Sequence, residues 1–306
     1  MRAVVSVGDC ASIAGELPST PVERSLLHDA AGALAELAGH HQLVVTYGTG
    51  PHLDLLLEQG HDGWLDPQFD VVNAESEAAV GYLLTQELRN QLPKERVALL
   101  LTQVRVDPND PEFLRPTARV GPIVDENHAR DRAASLRWLF EPEGVGWRRA
   151  VPSPEPLAVV ESDTVALLLS AGVMVVCSGG GGIPVVADFN GDLRGVGAIV
   201  SQELASGVLA RQIGADRLVL LDASDVWHHR PDSDQFATLT VTAAREEPGA
   251  FDGPGRARRE AACRFVEATG HPATAGPLHQ ARAVLDGDVG TMIIPDRVPR
   301  DVPNEL

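Results

Sequence analysis

The chain is almost without lysine: Lys94 stands alone beside 24 arginines. On a surface the two cations exchange freely. At a working position they do not, because ammonium and guanidinium differ in size, geometry and acidity. Cysteine is also scarce. Cys10, Cys177 and Cys263 have no metal-ligand spacing and do not suggest a disulfide framework. Positive charge is outnumbered, leaving a net charge of -18. That balance argues against nucleic acid as a partner, since neutralising phosphates takes clustered cations, and it disfavours anionic membrane surfaces. No apolar run reaches the length of a bilayer span. The opening Met1-Arg-Ala-Val-Val-Ser-Val-Gly8 is too short and too strand-like for a signal peptide. A cytoplasmic protein with neither nucleic-acid nor membrane partner is expected.

What is present is enough for a large core: 306 residues, 44% of them hydrophobic. Short β-branched runs end at glycine or at a turn. They are Ala3–Val7 before Gly8, Gln42–Thr46 before Tyr47-Gly-Thr-Gly50, Val97–Thr102, Val173–Cys177 before Ser178-Gly-Gly-Gly-Gly182, and Arg217–Leu221 before Asp222. Helical patterns lie between them at Ser25–Ala38, Glu75–Asn90, Pro156–Ala171, Gln202–Ile213 and Arg258–Thr269. This alternation predicts a doubly wound α/β fold around a mostly parallel sheet, with ligands outside the carboxyl ends of the strands. From about Asp107 to Pro156 the chain is rich in Pro, Arg and acidic residues. It is too long for a structureless loop and reads as an excursion with its own small fold. The tail, Pro295–Leu306, reads as frayed.

A strand that ends in glycine and opens a helix presents backbone N–H groups to an anion. Three such turns on one sheet edge, at Gly8, at Gly48-Thr-Gly50 and at Gly179–Gly182, would form a site for phosphate or carboxylate. The run Gly179–Gly182 is the strongest, because four flexible residues are costly to order. No Gly-Lys-Ser/Thr follows it, so it is not a Walker loop, and it is not a dinucleotide fingerprint. The expected ligand is a small anionic metabolite of open identity. No metal site is expected.

These turns and the segments around them resemble carbamate kinase, within the amino-acid kinase family. The segments are Asp70-Val-Val-Asn-Ala-Glu-Ser-Glu77 continuing through Gly81–Leu88, Thr102-Gln-Val-Arg-Val-Asp-Pro-Asn-Asp-Pro111, Gly146-Trp-Arg-Arg-Ala-Val-Pro-Ser-Pro-Glu-Pro156, Cys177–Val186 and Glu260–Glu267. The resemblance covers nearly the whole chain. It implies a three-layer αβα sandwich that forms a homodimer, with the excursion at about 107–156 as a lid over the substrate. It further implies a substrate lobe at 1–200 and a nucleotide lobe at 201–306, with ATP and magnesium as cofactors. The implied reaction is reversible phosphoryl transfer between ADP and carbamoyl phosphate.

The departures from the family pattern fall on its cations. The first turn, Gly-Gly-Asn in the family, keeps Gly8 but continues with Asp9 and Cys10. The second, His-Gly-Asn-Gly-Pro, is here Tyr47-Gly-Thr-Gly-Pro51. The lid lysine after Pro-Thr is replaced by Ala118, with Arg119 next to it. Asp-Lys-Asp becomes Ser201-Gln-Glu203, and Thr-Asp-Val-Asp becomes Leu221-Asp-Ala-Ser224, leaving Asp222 and Ser224 as nucleotide-side residues. In place of Gly-Pro-Lys stands Gly253-Pro-Gly-Arg-Ala-Arg-Arg259, which puts Gly255 or Arg258 in the lysine position. Phosphoryl transfer rests on positioning and on stabilising charge, so loss of several cations predicts weak or absent carbamate kinase activity. Asp9 reads as an N-cap, or else a base or metal ligand. Cys10 reads as a small filler, or else a nucleophile at a helix terminus. Glu75 and Glu77 read as structural or interface residues, and His228 and His229 as surface histidines. Three functions stay open: a diverged enzyme on an acyl phosphate or carboxylate, a non-catalytic pseudokinase that pairs with a partner or senses a metabolite, and a carbamate kinase working with arginine in place of lysine.

Overall fold

Along the central strands, successive residues enter two different apolar layers. Val4, Val44, Val175, Leu218 and Leu220 pack on one face of the sheet. Ala3, Val5, Val45, Val176, Val219 and Leu221 pack on the other. A strand covered on both faces reads in sequence as a continuous apolar run, which is why these segments announce themselves.

The computed structural model describes residues 1–8, 21–39, 41–58, 69–222, 237–246 and 254–296. Asp9, Cys10, Ser224, His228, His229 and most of the tail lie outside these residues. The first elements are β1 (Arg2–Val7), α1 (Pro21–Ala35), β2 (Gln42–Tyr47), α2 (Gly50–Glu58), α3 (Phe69–Gln91), β3 (Arg96–Leu99) and β4 (Gln103–Val106). Then come β5 (Ala118–Val124), α4 (Glu126–Leu136), β6 (Leu139–Glu143), β7 (Gly146–Val151), β8 (Pro156–Val159), α5 (Ser162–Ser170), β9 (Val173–Val176), β10 (Ile183–Ala187) and β11 (Leu193–Gly195). The last are α6 (Gln202–Gln212), β12 (Arg217–Asp222), β13 (Ala237–Thr240), α7 (Val241–Glu246), α8 (Pro254–Thr269), β14 (Ala273–Pro277), α9 (Ala281–Asp286) and β15 (Thr291–Ile294).

The main sheet runs β13-β15-β14-β12-β1-β2-β9-β3. Every pairing in it is parallel except that of β14 with β15. Leu27 and Leu34 of α1, Leu84 and Leu88 of α3 and Val284 of α9 cover one face. Val165 and Leu169 of α5, Leu209 of α6 and Phe265 of α8 cover the other. The result is a three-layer αβα sandwich.

A second sheet, β11-β10-β4-β8, corrects one sequence expectation. The segment Pro156–Ala171 is not a single helix. Its first residues form β8, antiparallel to β4 with Val104 opposite Val159, and only Ser162–Ser170 is helical. Pairing with β4 outweighs the helical pattern there, and Pro156 is tolerated because it opens the strand.

The Pro-rich excursion has its own sheet, β5-β7-β6, with α4 connecting β5 to β6. Leu53, Phe69, Val72, Val120 and Val151 form a separate apolar cluster between this unit and helices α2 and α3. Asp54 on α2 accepts from Gly121 N–H at 2.7 Å and pairs with Arg148, whose Nε also donates to Gly121 O. Burial pushes the Asp54 carboxyl above its ordinary range, against the pull of the Gly121 N–H and the Arg148 guanidinium.

Candidate active site

Strands β12, β1, β2 and β9 are adjacent and parallel, so their carboxyl ends meet along one edge. Gly8 follows β1, Gly48 and Thr49 follow β2, and Gly179 follows β9 after the intervening Cys177 and Ser178. Together with residues of α6 and α8 these turns line a cavity of about 240 Å³. That is below the ~300 Å³ lower bound of pockets for drug-sized ligands, so it suits a small anion or the terminal phosphates of a larger one. Gly8, Gly48, Thr49, Gly50, Gly179, Gly180 and Gly182 all line it, as do Glu203 and Arg258. Gly181 lies in the same turn, against Val200 O.

Most of the turn N–H groups are already used. Gly8 donates to Leu221 O at 2.8 Å, and Gly48 donates to Val7 O at 3.0 Å, extending the parallel ladder. Gly181 and Gly182 close their own turn on Ser178 O and Gly179 O. The N–H groups of Thr49, Gly50 and Gly180 have no acceptor among the described residues. Thr49 and Gly50 open α2, whose N-terminal end carries partial positive charge. The anion donors therefore cluster where β2 meets α2 and faces the glycine run.

The glycine run needs its glycines. Gly180, Gly181 and Gly182 have φ of 59°, 91° and 88°, and Ser178 before them is itself left-handed at φ 55°. A Cβ on Gly180 would collide with Thr49 Oγ1, so the close approach of the two turns also depends on glycine. Behind Thr49, Ser76 Oγ donates to Thr49 O at 3.3 Å and takes His52 Nδ1 at 3.2 Å. That network assigns the proton of His52 to Nδ1. Burial lowers the pKa of this histidine, favouring its neutral form.

Among the described residues one cation reaches the cavity. Arg258 on α8 is 15% exposed, and its Nε donates to Glu203 Oε1 at 3.1 Å. Its Nη2 pairs with Asp222 at the end of β12. A Cβ on Gly8 would lie 3.2 Å from Arg258 Nη2, so the guanidinium rests against the first glycine turn. Of the two candidates for the family's lysine position, Arg258 lines the cavity and Gly255 does not. Arg119 is not among the lining residues; it pairs with Glu143 across the β5-β7-β6 unit at 3.3 Å and is 42% exposed. Arg148 is held by Asp54 and Glu143, and Arg149 packs over the rings of Trp138 and Phe69. Lys94 sits in the exposed turn between α3 and β3. Among the described residues no group of three or more His, Cys, Asp or Glu could hold a metal ion. No described helix is long and apolar enough to cross a membrane.

Glu77 reads in the sequence as structural or interfacial. It proves to be 1% exposed, beneath the glycine run. The signal was available: Phe69, Val72, Val80, Leu84 and Leu88 mark the buried stripe of α3, and Glu77 falls on it.

A core of glycine turns, with a guanidinium and its two carboxylate partners, at the end of a parallel sheet defines an anion-handling α/β protein. The sequence profile of the Amino acid kinase family matches residues 1–273, and the chain belongs to that family. The carbamate kinase of Rhizobium meliloti (strain 1021) is 39% identical over 304 residues, 96% of this chain and 93% of that protein. The carbamate kinase of Escherichia coli (strain K12) is 34% identical over 296 residues, 95% and 98% of the two chains. Among solved structures, carbamate kinase from Giardia lamblia bound to AMP-PNP superposes with a TM-score of 0.85 at 29% identity, covering 96% of this chain and 98% of that one.

Proposed function

We propose that the protein is a phosphotransferase of the carbamate kinase type in which Arg258 does the work of a lysine, and that its turnover is low. The observation that carries this reading is the placement of Arg258 against Gly8 in the cavity, facing the turns at Thr49 and Gly180. The likeness to carbamate kinases over nearly the full chain supplies the reaction class. In the direction that makes ATP, a terminal oxygen of ADP attacks the phosphorus of carbamoyl phosphate, the bond to the carbamoyl oxygen breaks, and carbamate leaves with that oxygen. The N–H groups of Thr49, Gly50 and Gly180 would orient the acyl phosphate, and Arg258 would stabilise charge on the transferred oxygens.

The nucleotide fits the side of Asp222 and α8, and Ser224 belongs to the same proposed side. Magnesium would arrive on its phosphates and neutralise charge there. Asp9 and Cys10 follow Gly8 directly and are proposed as neighbours of the acyl phosphate. Arg119 is proposed as a lid cation that reaches the ligand only if it leaves Glu143. A homodimer is proposed by analogy with the family.

Low turnover follows from the engagement of Arg258 with two carboxylates, which opposes its full use by phosphate. The same engagement favours a second reading, a non-catalytic member that binds a metabolite without turning it over.

Purified protein given ADP, magnesium and carbamoyl phosphate is expected to form ATP. Arg258→Ala should cut that rate by on the order of 10²–10³, the usual cost of one preorganised donor, while Arg258→Lys should keep most of it. Binding of carbamoyl phosphate with no ATP formed would select the non-catalytic reading. Binding of neither ligand would end the kinase reading.

A further inference from the structure

The glycine run of the cavity is anchored from below by a carboxyl group with no cation beside it. Glu77 Oε1 accepts from Thr102 Oγ1 at 2.8 Å, from Gly179 N–H at 3.1 Å and from Thr102 N–H at 3.3 Å. Thr102 Oγ1 in turn accepts from Ser178 N–H at 2.7 Å. The two residues that begin the turn, Ser178 and Gly179, are thus both held through the Glu77–Thr102 pair. A second tie comes from the Glu77 main chain, whose carbonyl accepts from Tyr47 Oη at 2.8 Å. The ring of Tyr47 closes over Gly179, where a Cβ would lie 2.5 Å from its Cε2.

We propose that Glu77 is a positioning residue for the cavity: it fixes the start of the Gly179–Gly182 turn, and it does so as an uncharged acid. The hydrogen bonds carry the first half, and the burial of a carboxyl with no cation paired to it carries the second. All three closest donors converge on one oxygen, while Oε2 has only a 3.5 Å approach from Thr102 N–H, so a proton on Oε2 sacrifices no strong bond. No Arg, Lys or His pairs with Glu77 among the described residues. A negative charge there would stand directly behind Gly179, which lines the anion cavity, and would repel the ligand the cavity is built to hold. Burial pushes the carboxyl up to about 8 against the opposing pull of the bonds from Thr102 and Gly179, with the nearby Glu161 carboxylate adding to the rise. The other ionisable neighbours are Cys177 at the end of β9 and Tyr47 on β2.

This inference deepens the kinase reading but is tested apart from it, by amide hydrogen exchange in the ligand-free protein. Glu77→Ala removes the acceptor and should speed exchange at Ser178 and Gly179 by roughly tenfold or more, since their local opening is no longer opposed. Glu77→Gln keeps an oxygen acceptor without charge and should hold exchange close to the parent. Should Glu77→Ala fail to fold, Thr102→Val removes the bridging hydroxyl and should free Ser178 in the same way. Unchanged exchange in Glu77→Ala or Thr102→Val overturns the positioning role. Loosening in Glu77→Gln as great as in Glu77→Ala overturns the uncharged state. If the protein is a kinase, Glu77→Ala should raise KM for carbamoyl phosphate more than it lowers kcat, whereas general destabilisation would lower activity without that split. An absence of kinase activity leaves the exchange result standing.

Discussion

A buried acid that must stay protonated ties the stability of the fold to pH. Burial pushes the Glu77 carboxyl up to about 8 from an ordinary value of 4.5. Its contribution to stability is fully present below about pH 4.5 and is lost as pH rises towards about 8, because the folded chain then holds a proton the unfolded chain has released. In that window the stability of the parent should fall relative to Glu77→Gln by up to about 1.4 kcal/mol per pH unit, one proton's worth. Denaturant titrations of both proteins at a series of pH values check this, and parallel curves would contradict it. Cys177 does not compete in this range, since burial, with the Glu161 carboxylate adding to it, pushes its thiol well above the ordinary value.

At the scale of elements, the glycine run behaves as a short rigid bracket rather than a loose loop. Gly180→Ala would place a side chain at φ 59° and drive its Cβ into Thr49 Oγ1. The backbone cost alone is about 1–2 kcal/mol. The expected outcome is a lowered Tm together with loss of acyl phosphate binding by calorimetry. A variant that binds as the parent does would mean the two turns need not approach so closely.

The bracket was legible in the sequence, because β-branched runs ending in glycine mark buried parallel strands. The excursion with its own small sheet was legible too, from a stretch too long for a loop. Other elements were not. The strand Pro156–Val159 is hidden in a helical pattern, and only its pairing with β4 reveals it. Strand β14, Ala273-Thr-Ala-Gly-Pro277, is fully buried yet nearly devoid of β-branched residues. It is a strand because β12 and β15 hydrogen-bond it from both sides, a cause that no local pattern carries. Arg258 was legible only through the family motif, since nothing local separates it from its neighbours Arg256 and Arg259. Arg119 looked equivalent by position, but Glu143, a residue on another strand of the β5-β7-β6 sheet, pairs with it away from the cavity.

For the molecule as a whole, the net charge of -18 sets the background against which the cavity works. Self-repulsion of that size destabilises the compact state, and added salt screens it. The thermal midpoint should therefore rise by several degrees between low salt and about 0.5 M sodium chloride, where the Debye length has shrunk to a few ångström. A falling midpoint would mean that surface ion pairs such as Arg245–Glu267 and Arg264–Glu155 outweigh the net charge.

The order of strands across the sheet carries one more consequence. Gly8 comes from the start of the chain and Arg258 from near its end, yet they touch because β1 lies beside β12 and α8 crosses the same edge. A nascent chain emerging from the ribosome cannot hold its ligand until α8 has been made, whatever its earlier strands have done. Contacts of such long sequence separation are slow to close. Completion of the cavity therefore marks a late stage of folding, since a half-made chain lacks the wall that α8 supplies.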